Sequence, residues 1–253
     1  MTRRALIVGN WKMNAPASAE DYIANVADAI RAGRPHGASV LVCPPATMIA
    51  RLMGKGVRLG GQDCHPADSG AHTGDVSARM LAEAGATHVI LGHSERRAHH
   101  SETDADVAAK TRAAWRADLS AIVCVGETTE QRDAGKAMET VIAQLAGSIP
   151  DGATAVNCIV AYEPVWAIGS GRAATTDDIA DMHKAIRAHI ADRFGGEHAS
   201  QIRVLYGGSV KSTNASDILS IADVDGALVG GASLKSVDFI AIAEAATAAK
   251  AAA

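Results

Sequence analysis

The chain has 253 residues, of which 48% are hydrophobic and 21% charged, and its formal net charge is -4. A chain of this length can bury a full core without a metal or a disulfide, and the composition is ordinary for a globular enzyme. The weakly acidic charge excludes a strongly basic nucleic-acid-binding protein and offers no attraction to an anionic membrane. We therefore expect neither a nucleic-acid nor a membrane partner.

The four cysteines indicate a reducing compartment. Three of them, Cys43, Cys124 and Cys158, lie in apolar runs, where a thiol behaves as a small core hydrophobe. No pair has Cys-x-x-Cys spacing, and Cys64 lies outside such a run without an evident role. The N-terminal apolar stretch is too short for a signal peptide, and no segment approaches the roughly 18 apolar residues of a membrane span. We expect a cytoplasmic protein.

Eight short runs of β-branched and aliphatic residues recur along the chain. They are nearly continuous in apolar character, which is typical of strands covered on both faces. The predicted strands are Ala5–Asn10, Ser39–Cys43, Val57–Gln62, His88–Gly92, Ala121–Val125, Asn157–Tyr162, Ile202–Tyr206 and Asp225–Val229.

Segments with helical composition and capping residues lie between these strands. Helices are predicted after Ser18, after Ser77, from Thr128-Thr129 to Gly147, after Thr176 as far as Gly195-Gly196, from Ser212 to Leu219, and from Ser233 onward. Strands that alternate with helices pair in parallel through right-handed crossovers. The pattern and the length predict an α/β fold, a closed (β/α)8 barrel with an outer ring of helices, over residues 1–253 as one domain.

An open, doubly wound sheet is the structural alternative. Its fingerprint, Gly-x-Gly-x-x-Gly after the first strand, is absent, because that turn reads from Gly9 to Asn14 without the required glycines. In a closed barrel, functional side chains collect where strands end and βα loops begin.

Polar residues follow the first and fourth strands. Asn10 and Lys12 are two residues apart, so both side chains point toward the same mouth of the barrel, although a lysine at such a position is usually solvated. His93 follows strand four, and a helical turn that starts at Ser94 would place backbone N–H groups beside its ring. That setting favours a neutral imidazole. A structural role for His93 is the alternative, and His99 and His100 are expected to be exposed.

Strand six ends in Tyr162, and Glu163 follows directly. Burial of a carboxylate raises its pKa toward the range of a general base. A salt bridge from Glu163 to Lys12 or Arg96 is an equally good interpretation of this residue alone. The following apolar segment, from Pro164 to Gly171, is typical of a loop that closes over a site and excludes water, or of a loop packed permanently on a helix.

The loops after the last two strands carry the glycine pairs Gly207-Gly208 and Gly230-Gly231. Glycine pairs let backbone N–H groups approach an anion closely, and phosphate sites in such barrels recur after strands seven and eight. A phosphate site is therefore predicted there, with two ordinary turns as the alternative.

Together, these features predict one site with a cation, a neutral hydrogen-bond donor, a buried carboxylate, an apolar loop and a phosphate cradle. No pair of histidines has metal-ligand spacing, His183 and His189 being six residues apart, so we expect no metal and no cofactor. Such a site can hold a phosphorylated substrate, remove a proton beside a carbonyl and stabilise an enediolate.

Four motifs together resemble the triosephosphate isomerase family, in order and spacing over the whole chain. They are Asn10-Trp11-Lys12-Met13-Asn14, Gly92-His93-Ser94-Glu95-Arg96-Arg97, Ala161-Tyr162-Glu163-Pro164-Val165-Trp166-Ala167-Ile168-Gly169 and Tyr206-Gly207-Gly208-Ser209-Val210. The resemblance implies a TIM barrel that interconverts dihydroxyacetone phosphate and D-glyceraldehyde 3-phosphate in glycolysis and gluconeogenesis, without a cofactor.

The resemblance also implies the role of each site residue. Glu163 would be the base, His93 the neutral electrophile joined by Asn10, and Lys12 the positive charge beside substrate and enediolate. A carboxylate base, a neutral histidine and a closing loop are known features of this family. The substrate and its phosphate would be held by Asn10, Lys12, Gly169, Ser209, Gly230 and Gly231. Glu95 would lie near Lys12, and Ser94 would touch the site.

Members of this family are typically homodimers. The resemblance implies that the loop from Gly70 to Asp75 inserts beside the partner's active site, with Thr73 as the contacting residue. Two other functions remain as alternatives: another phosphate-binding barrel isomerase or lyase with a larger substrate, and a catalytically silent phosphate-binding protein on the same scaffold.

Overall fold

The computed structural model describes residues 3–168 and 173–251. Eight parallel strands pair in sequence order and close into a barrel, β8 pairing with β1, which confirms the predicted fold. The strands are β1 (Ala5–Asn10), β2 (Ala38–Cys43), β3 (Arg58–Gly61), β4 (Ala86–Leu91), β5 (Ser120–Val125), β6 (Cys158–Tyr162), β7 (Arg203–Tyr206) and β8 (Gly226–Val229). That residues 1–253 form one domain stays a prediction.

Helices lie between successive strands in the described part of the chain. They are α1 (Ala19–Arg31), α2 (Ala46–Leu52), α3 (Ala78–Glu83), α4 (Ser94–His99), α5 (Asp104–Arg116), α6 (Thr129–Asp133), α7 (Ala137–Ser148), α8 (Thr176–Phe194), α9 (Gly196–Ala199), α10 (Ala215–Ser220) and α11 (Ser236–Ala251). Ser18 and Ser77 cap α1 and α3 as predicted, each accepting a backbone N–H three residues ahead. The cap of α8 is Thr175 rather than Thr176.

Three helix predictions were wrong in detail. The single helix predicted after Thr128 is two helices, because Gly135 takes a left-handed conformation at φ 71° between them. α10 starts at Ala215 rather than near Ser212, since the Asn214 side chain bonds the backbone before it. α11 starts at Ser236, because the Ser233 hydroxyl donates to Gly230 O in a 3-10 turn instead of capping a helix.

Two layers of apolar side chains hold the barrel together. The larger layer lies between the strands and the helices. The smaller fills the barrel and consists of Leu6, Val8, Leu41, Cys43, Ile90, Ile122, Cys124, Ile159, Ala161, Leu205 and Leu228. Cys64 is also buried, with Sγ 3.9 Å from Lys110 O, so its position is structural. The interior is therefore packed solid, and a ligand can bind only at the ends of the strands.

No helix among the described residues is long and apolar enough to cross a membrane.

Candidate active site

Glu163 lies at the carboxyl end of β6, where the backbone pairing of the barrel continues one residue past the strand. Its N–H donates to Val125 O at 2.8 Å, and its side chain is only 2% exposed. Two glycines leave room for it: a Cβ on Gly126 would lie 1.8 Å from Glu163 O, and one on Gly207 would lie 2.8 Å from Glu163 Cγ. The neighbouring strands thus fix both backbone and side chain.

The carboxylate of Glu163 has two partners from the turn after β4. Oε2 accepts the backbone N–H of Ser94 at 2.9 Å, and Oε1 lies 2.9 Å from His93 Nε2. The salt bridges considered from the sequence do not form, because Lys12 pairs with Glu95, and Arg96 pairs with Asp63 and Glu102. The predicted base and the predicted electrophile are therefore in direct contact.

The hydrogen bonds of His93 define where its proton lies. Nδ1 accepts the backbone N–H of Glu95 at 3.2 Å, at the start of α4. An acceptor nitrogen carries no proton, so the ring proton is on Nε2 and points at Glu163. This is the neutral form predicted from the helix start. The ring is 6% exposed, so no water shell competes for that proton.

The pKa values of this pair differ from the sequence-based expectation. Burial raises the pKa of Glu163, but the His93 ring and the Ser94 N–H favour the carboxylate more strongly, and the net pKa is below its usual value. Burial lowers the pKa of His93, whereas the nearby Glu163 carboxylate raises it. The raising influences together outweigh burial, so the net pKa of His93 is above its usual value. The expectation of a raised Glu163 pKa was therefore wrong for this arrangement, because it counted burial without the partners.

Lys12 has an unusual backbone conformation for a side chain of its size, with φ 54°. Local bonds hold it there: Lys12 N–H donates to Asn10 Oδ1 at 3.0 Å, and Gln62 Nε2 donates to Lys12 O at 2.8 Å. Its Nζ binds Glu95 Oε1 at 2.5 Å. Non-glycine residues held in this region cluster at functional sites, where surrounding contacts impose the strain.

A cleft of about 260 Å³ opens at this mouth of the barrel. Of the residues predicted for the site, the cleft is lined by Asn10, Lys12, His93, Glu163, Ser209, Gly230 and Gly231. Glu163 and His93 line the cleft together with the loops after β7 and β8. Gly169 lies outside the described residues. The cleft fits a small substrate with one reactive carbon near Glu163 and one anionic group near the glycines.

A family model described as triosephosphate isomerase matches residues 5–246. The chain belongs to the triosephosphate isomerase family. It is 58% identical over 247 residues to the triosephosphate isomerase of Xanthobacter flavus (96% of this chain, 98% of the relative). It is 56% identical over 238 residues to that of Ruegeria sp. strain TM1040 (93% and 95%).

A solved triosephosphate isomerase from Bartonella henselae superimposes with a TM-score of 0.88 at 48% identity, covering 96% of this chain and 98% of that one. The predictions of family, fold and isomerase activity are confirmed by these comparisons. The roles of individual residues remain predictions.

One residue that contacts the loop after β6 was missed from the sequence. Glu127 follows β5 and is fully buried, and its Oε1 accepts from Tyr162 Oη at 3.1 Å and from Trp166 Nε1 at 2.7 Å. Arg132 lies 3.7 Å from the same oxygen. Glu127 thereby ties the start of the apolar loop to the end of β6. An acid directly after an apolar strand was the signal that marked Glu163, and Glu127 carries a similar signal one residue further from its strand.

The described histidines include one group that could hold a metal ion, away from the cleft. His65, His72 and Asp75 have ligand atoms within 4.8 Å of one another. However, His65 Nδ1 accepts the Ala67 N–H at 3.1 Å, so its proton is on Nε2, the nitrogen nearer to Asp75. A metal ligand needs the opposite proton placement. His99 and His100 are exposed as predicted.

Proposed function

We propose that this chain interconverts dihydroxyacetone phosphate and D-glyceraldehyde 3-phosphate with Glu163 as base and His93 as electrophile. The contact between Glu163 Oε1 and His93 Nε2, inside a cleft that ends in two glycine loops, carries this proposal. A base and a hydrogen-bond donor 2.9 Å apart can act on adjacent atoms of one small substrate.

The reaction follows from these positions. Glu163 takes a proton from the carbon next to the carbonyl, and the C–H electron pair forms a C=C bond as the carbonyl oxygen becomes an enediolate oxygen. His93 Nε2–H donates to that oxygen, and Asn10 and Lys12 supply further polar and positive groups. The hydroxyl proton on the first carbon moves to the former carbonyl oxygen, with His93 Nε2 between the two oxygens. Glu163 then delivers its proton to the former carbonyl carbon, so that the C=C electron pair forms the new C–H bond and the first carbon becomes the new carbonyl. No atom is gained or lost, so no cofactor is needed.

Substrate binding changes the pKa of the base in the useful direction. Entry of the substrate takes the carboxylate away from Ser94 N–H and turns His93 Nε2–H toward the substrate oxygen. The influences that lower the pKa of Glu163 are then reduced, and burial, which raises it, remains. Loss of the nearby carboxylate likewise leaves burial to favour neutral His93. The base becomes stronger only when a substrate is present.

The phosphate end of the substrate is proposed to lie against Ser209, Gly230 and Gly231. All three line the cleft, and an added Cβ on Gly231 would meet no atom within 4 Å, so this loop faces open space. Gly169 is proposed as a further phosphate contact from the resemblance. Ser94 and Glu95 are proposed to position Glu163 and Lys12, which they contact.

A coupled assay on the purified chain tests the function directly. With dihydroxyacetone phosphate as substrate and a chelator present, the wild type should form D-glyceraldehyde 3-phosphate, and Glu163→Gln, of equal size, should lose at least about a thousandfold in kcat. Turnover of larger phosphorylated sugars but not of the triose would contradict the substrate. Full activity of Glu163→Gln would contradict the base.

We further propose that the chain forms a homodimer in the cytoplasm, with Thr73 in the interface. Met13 is 95% exposed beside a cleft of about 410 Å³ that it lines with Lys12 and Glu95. An exposed apolar side chain beside a functional cleft favours coverage by another chain. Light scattering should give twice the chain mass for the wild type and a lower mass for Thr73→Arg. A wild-type monomer with full activity would refute the dimer.

A further inference from the structure

The opposite end of the barrel carries a cluster of basic side chains. Along each strand, alternate residues face the interior, and the interior layer includes Leu6, Ile90 and Leu205. Two residues earlier on the same strands stand Arg4, His88 and Arg203. Arg58 begins β3 two residues before Gly60, whose Cβ would meet Cys43 of the interior layer. Four basic residues therefore occupy inward positions at the N-terminal mouth.

A cavity of about 310 Å³ lies at this mouth. Arg4, Arg58 and Ser39 line it, together with Ile30 of α1 and residues of the glycine-rich turn before β2, His36 among them. Arg4 donates to Ala38 O at 2.9 Å. Within residues 3–168 and 173–251, neither the Arg58 nor the Arg203 side chain has a hydrogen bond or an ion pair. Arg203 is half-buried, so its missing partners are not fully replaced by water.

The two carboxylates before β8 are shared with other arginines and offset this cluster only in part. Asp225, just before β8, binds Arg3 at 2.7 Å and Arg187 at 2.5 Å, and also accepts the Val204 N–H at 2.9 Å. Asp223 is bound by the same two arginines. The inward basic residues are thus left with excess positive charge at the mouth.

The charges are close enough to act on one another. Burial lowers the pKa of Arg203, the Asp225 carboxylate raises it, and Arg58 lowers it again, so that the net direction is downward. Burial lowers the pKa of His88 to about 4, with additional lowering by Arg203 and Arg58. Partly compensated repulsion of this kind destabilises the folded chain, and a bound anion relieves it.

We propose that the N-terminal mouth binds a small multivalent oxyanion of the phosphate class, with Arg4 and Arg58 at the cavity wall and Arg203 at an inward position of β7 at the same mouth. Arginine forks suit such oxygens because they donate two parallel hydrogen bonds. His88 and His93 are five residues apart, so this site lies about 16 Å along β4 from the catalytic end. The anion is a structural ligand and takes no part in the isomerisation.

Calorimetric titration with pyrophosphate at low salt tests the site. Lys12→Met protein serves as the parent, so that binding in the catalytic cleft is weakened. We expect saturable binding of one pyrophosphate per chain at the N-terminal mouth, weakened about tenfold to a hundredfold by Arg58→Gln or Arg203→Gln. Arg112→Gln is the matched control, because Arg112 is exposed on α5 without a hydrogen bond or ion pair to any described residue, and its affinity should equal that of the parent.

Thermal unfolding provides a second measurement on the wild-type chain. Pyrophosphate should raise the Tm of the wild type and of Arg112→Gln more than that of Arg58→Gln, whose exposed side chain is not needed for folding. Without the anion, Arg58→Gln should be at least as stable as the wild type, because a like charge is removed. Absence of saturable binding, or equal affinity in Arg58→Gln and Arg112→Gln, would overturn the proposal.

Discussion

Replacement of Gly207 by alanine tests how tightly the barrel positions Glu163. Gly207 follows β7, and its N–H donates to Tyr162 O at 2.7 Å. An added Cβ would lie 2.8 Å from Glu163 Cγ and 3.2 Å from Tyr162 O. Ordinary contact begins at 3.4 Å, so the Glu163 side chain has to move by about 0.6 Å or more. Its neighbours leave little freedom, because both carboxylate oxygens have partners at 2.9 Å.

The expected loss follows from the displacement. A misplacement of about 1 Å in a catalytic group costs about a hundredfold in rate. For the smaller shift here we expect kcat to fall about tenfold to a hundredfold, or about 1.4–2.8 kcal/mol in the barrier. Overpacking should also lower the free energy of unfolding by about 1–3 kcal/mol. KM should change little, since the residues proposed to hold phosphate are not displaced.

Steady-state assays in both directions and urea unfolding measure these effects. Gly196→Ala is the matched control: it adds the same methyl group at the start of α9, where no atom lies within 4 Å of the new Cβ, and it should leave kcat unchanged. A folded Gly207→Ala enzyme with kcat within threefold of the wild type would refute the contact as the determinant of the base's position. A rise in KM alone would show that the methyl group obstructs substrate instead.

Three further substitutions have expected outcomes. Lys12→Met should lose at least about a hundredfold in kcat/KM. Its free energy of unfolding in urea should change by less than about 1 kcal/mol, because the ion pair of Lys12 is partly exposed. Near-normal activity would remove Lys12 from the mechanism. Glu127→Ala leaves Tyr162 Oη and Trp166 Nε1 without their acceptor, so it should lower the free energy of unfolding by about 2–4 kcal/mol. Glu127→Gln keeps an acceptor oxygen and should lower the free energy of unfolding by less. Equal losses in the two variants would contradict this role. The folded pKa of Glu163 is below its unfolded value, so its ionic contribution is complete above pH about 4.3 and is lost as pH falls through the folded pKa. Wild-type stability should therefore decline more steeply than that of Glu163→Gln in acid unfolding, and parallel curves would show that the pair does not lower this pKa.

The barrel fold and the placement of three site residues can be predicted from patterns that are local in the sequence. Each strand is a short apolar run, and the order of runs and helices is sufficient to predict a closed parallel barrel. Because parallel strands all end at one rim, the positions of Asn10, His93 and Glu163 after their strands are enough to place them together. Strand bounds shift by one or two residues, since hydrogen bonding to a neighbouring strand decides where pairing stops.

The remaining features depend on contacts between distant segments. From the sequence, Gly207 is predicted to be part of a phosphate-binding loop. Only the packing shows that the absence of a side chain at Gly207 makes room for Glu163. Glu127 was overlooked because its partners, Tyr162 and Trp166, lie more than 30 residues away. Gly135 splits a helix whose composition is continuous on both sides. Composition alone does not predict which glycine takes a left-handed conformation.

The pKa of Glu163 shows why the protonation of a site residue cannot be predicted from its burial alone. In the ligand-free chain the carboxylate accepts the Ser94 N–H and contacts His93, and a charge-assisted hydrogen bond of this kind is worth about 1.5–3 kcal/mol. A substrate has to replace these bonds before Glu163 can reach carbon. The free energy for that replacement has to come from the non-reacting end of the substrate, where the glycine loops are proposed to bind its phosphate. The low pKa of Glu163 and the proposed phosphate cradle are thus two parts of one arrangement. The bonds to Ser94 and His93 hold the carboxylate, and binding at the proposed phosphate cradle would supply the free energy that releases it.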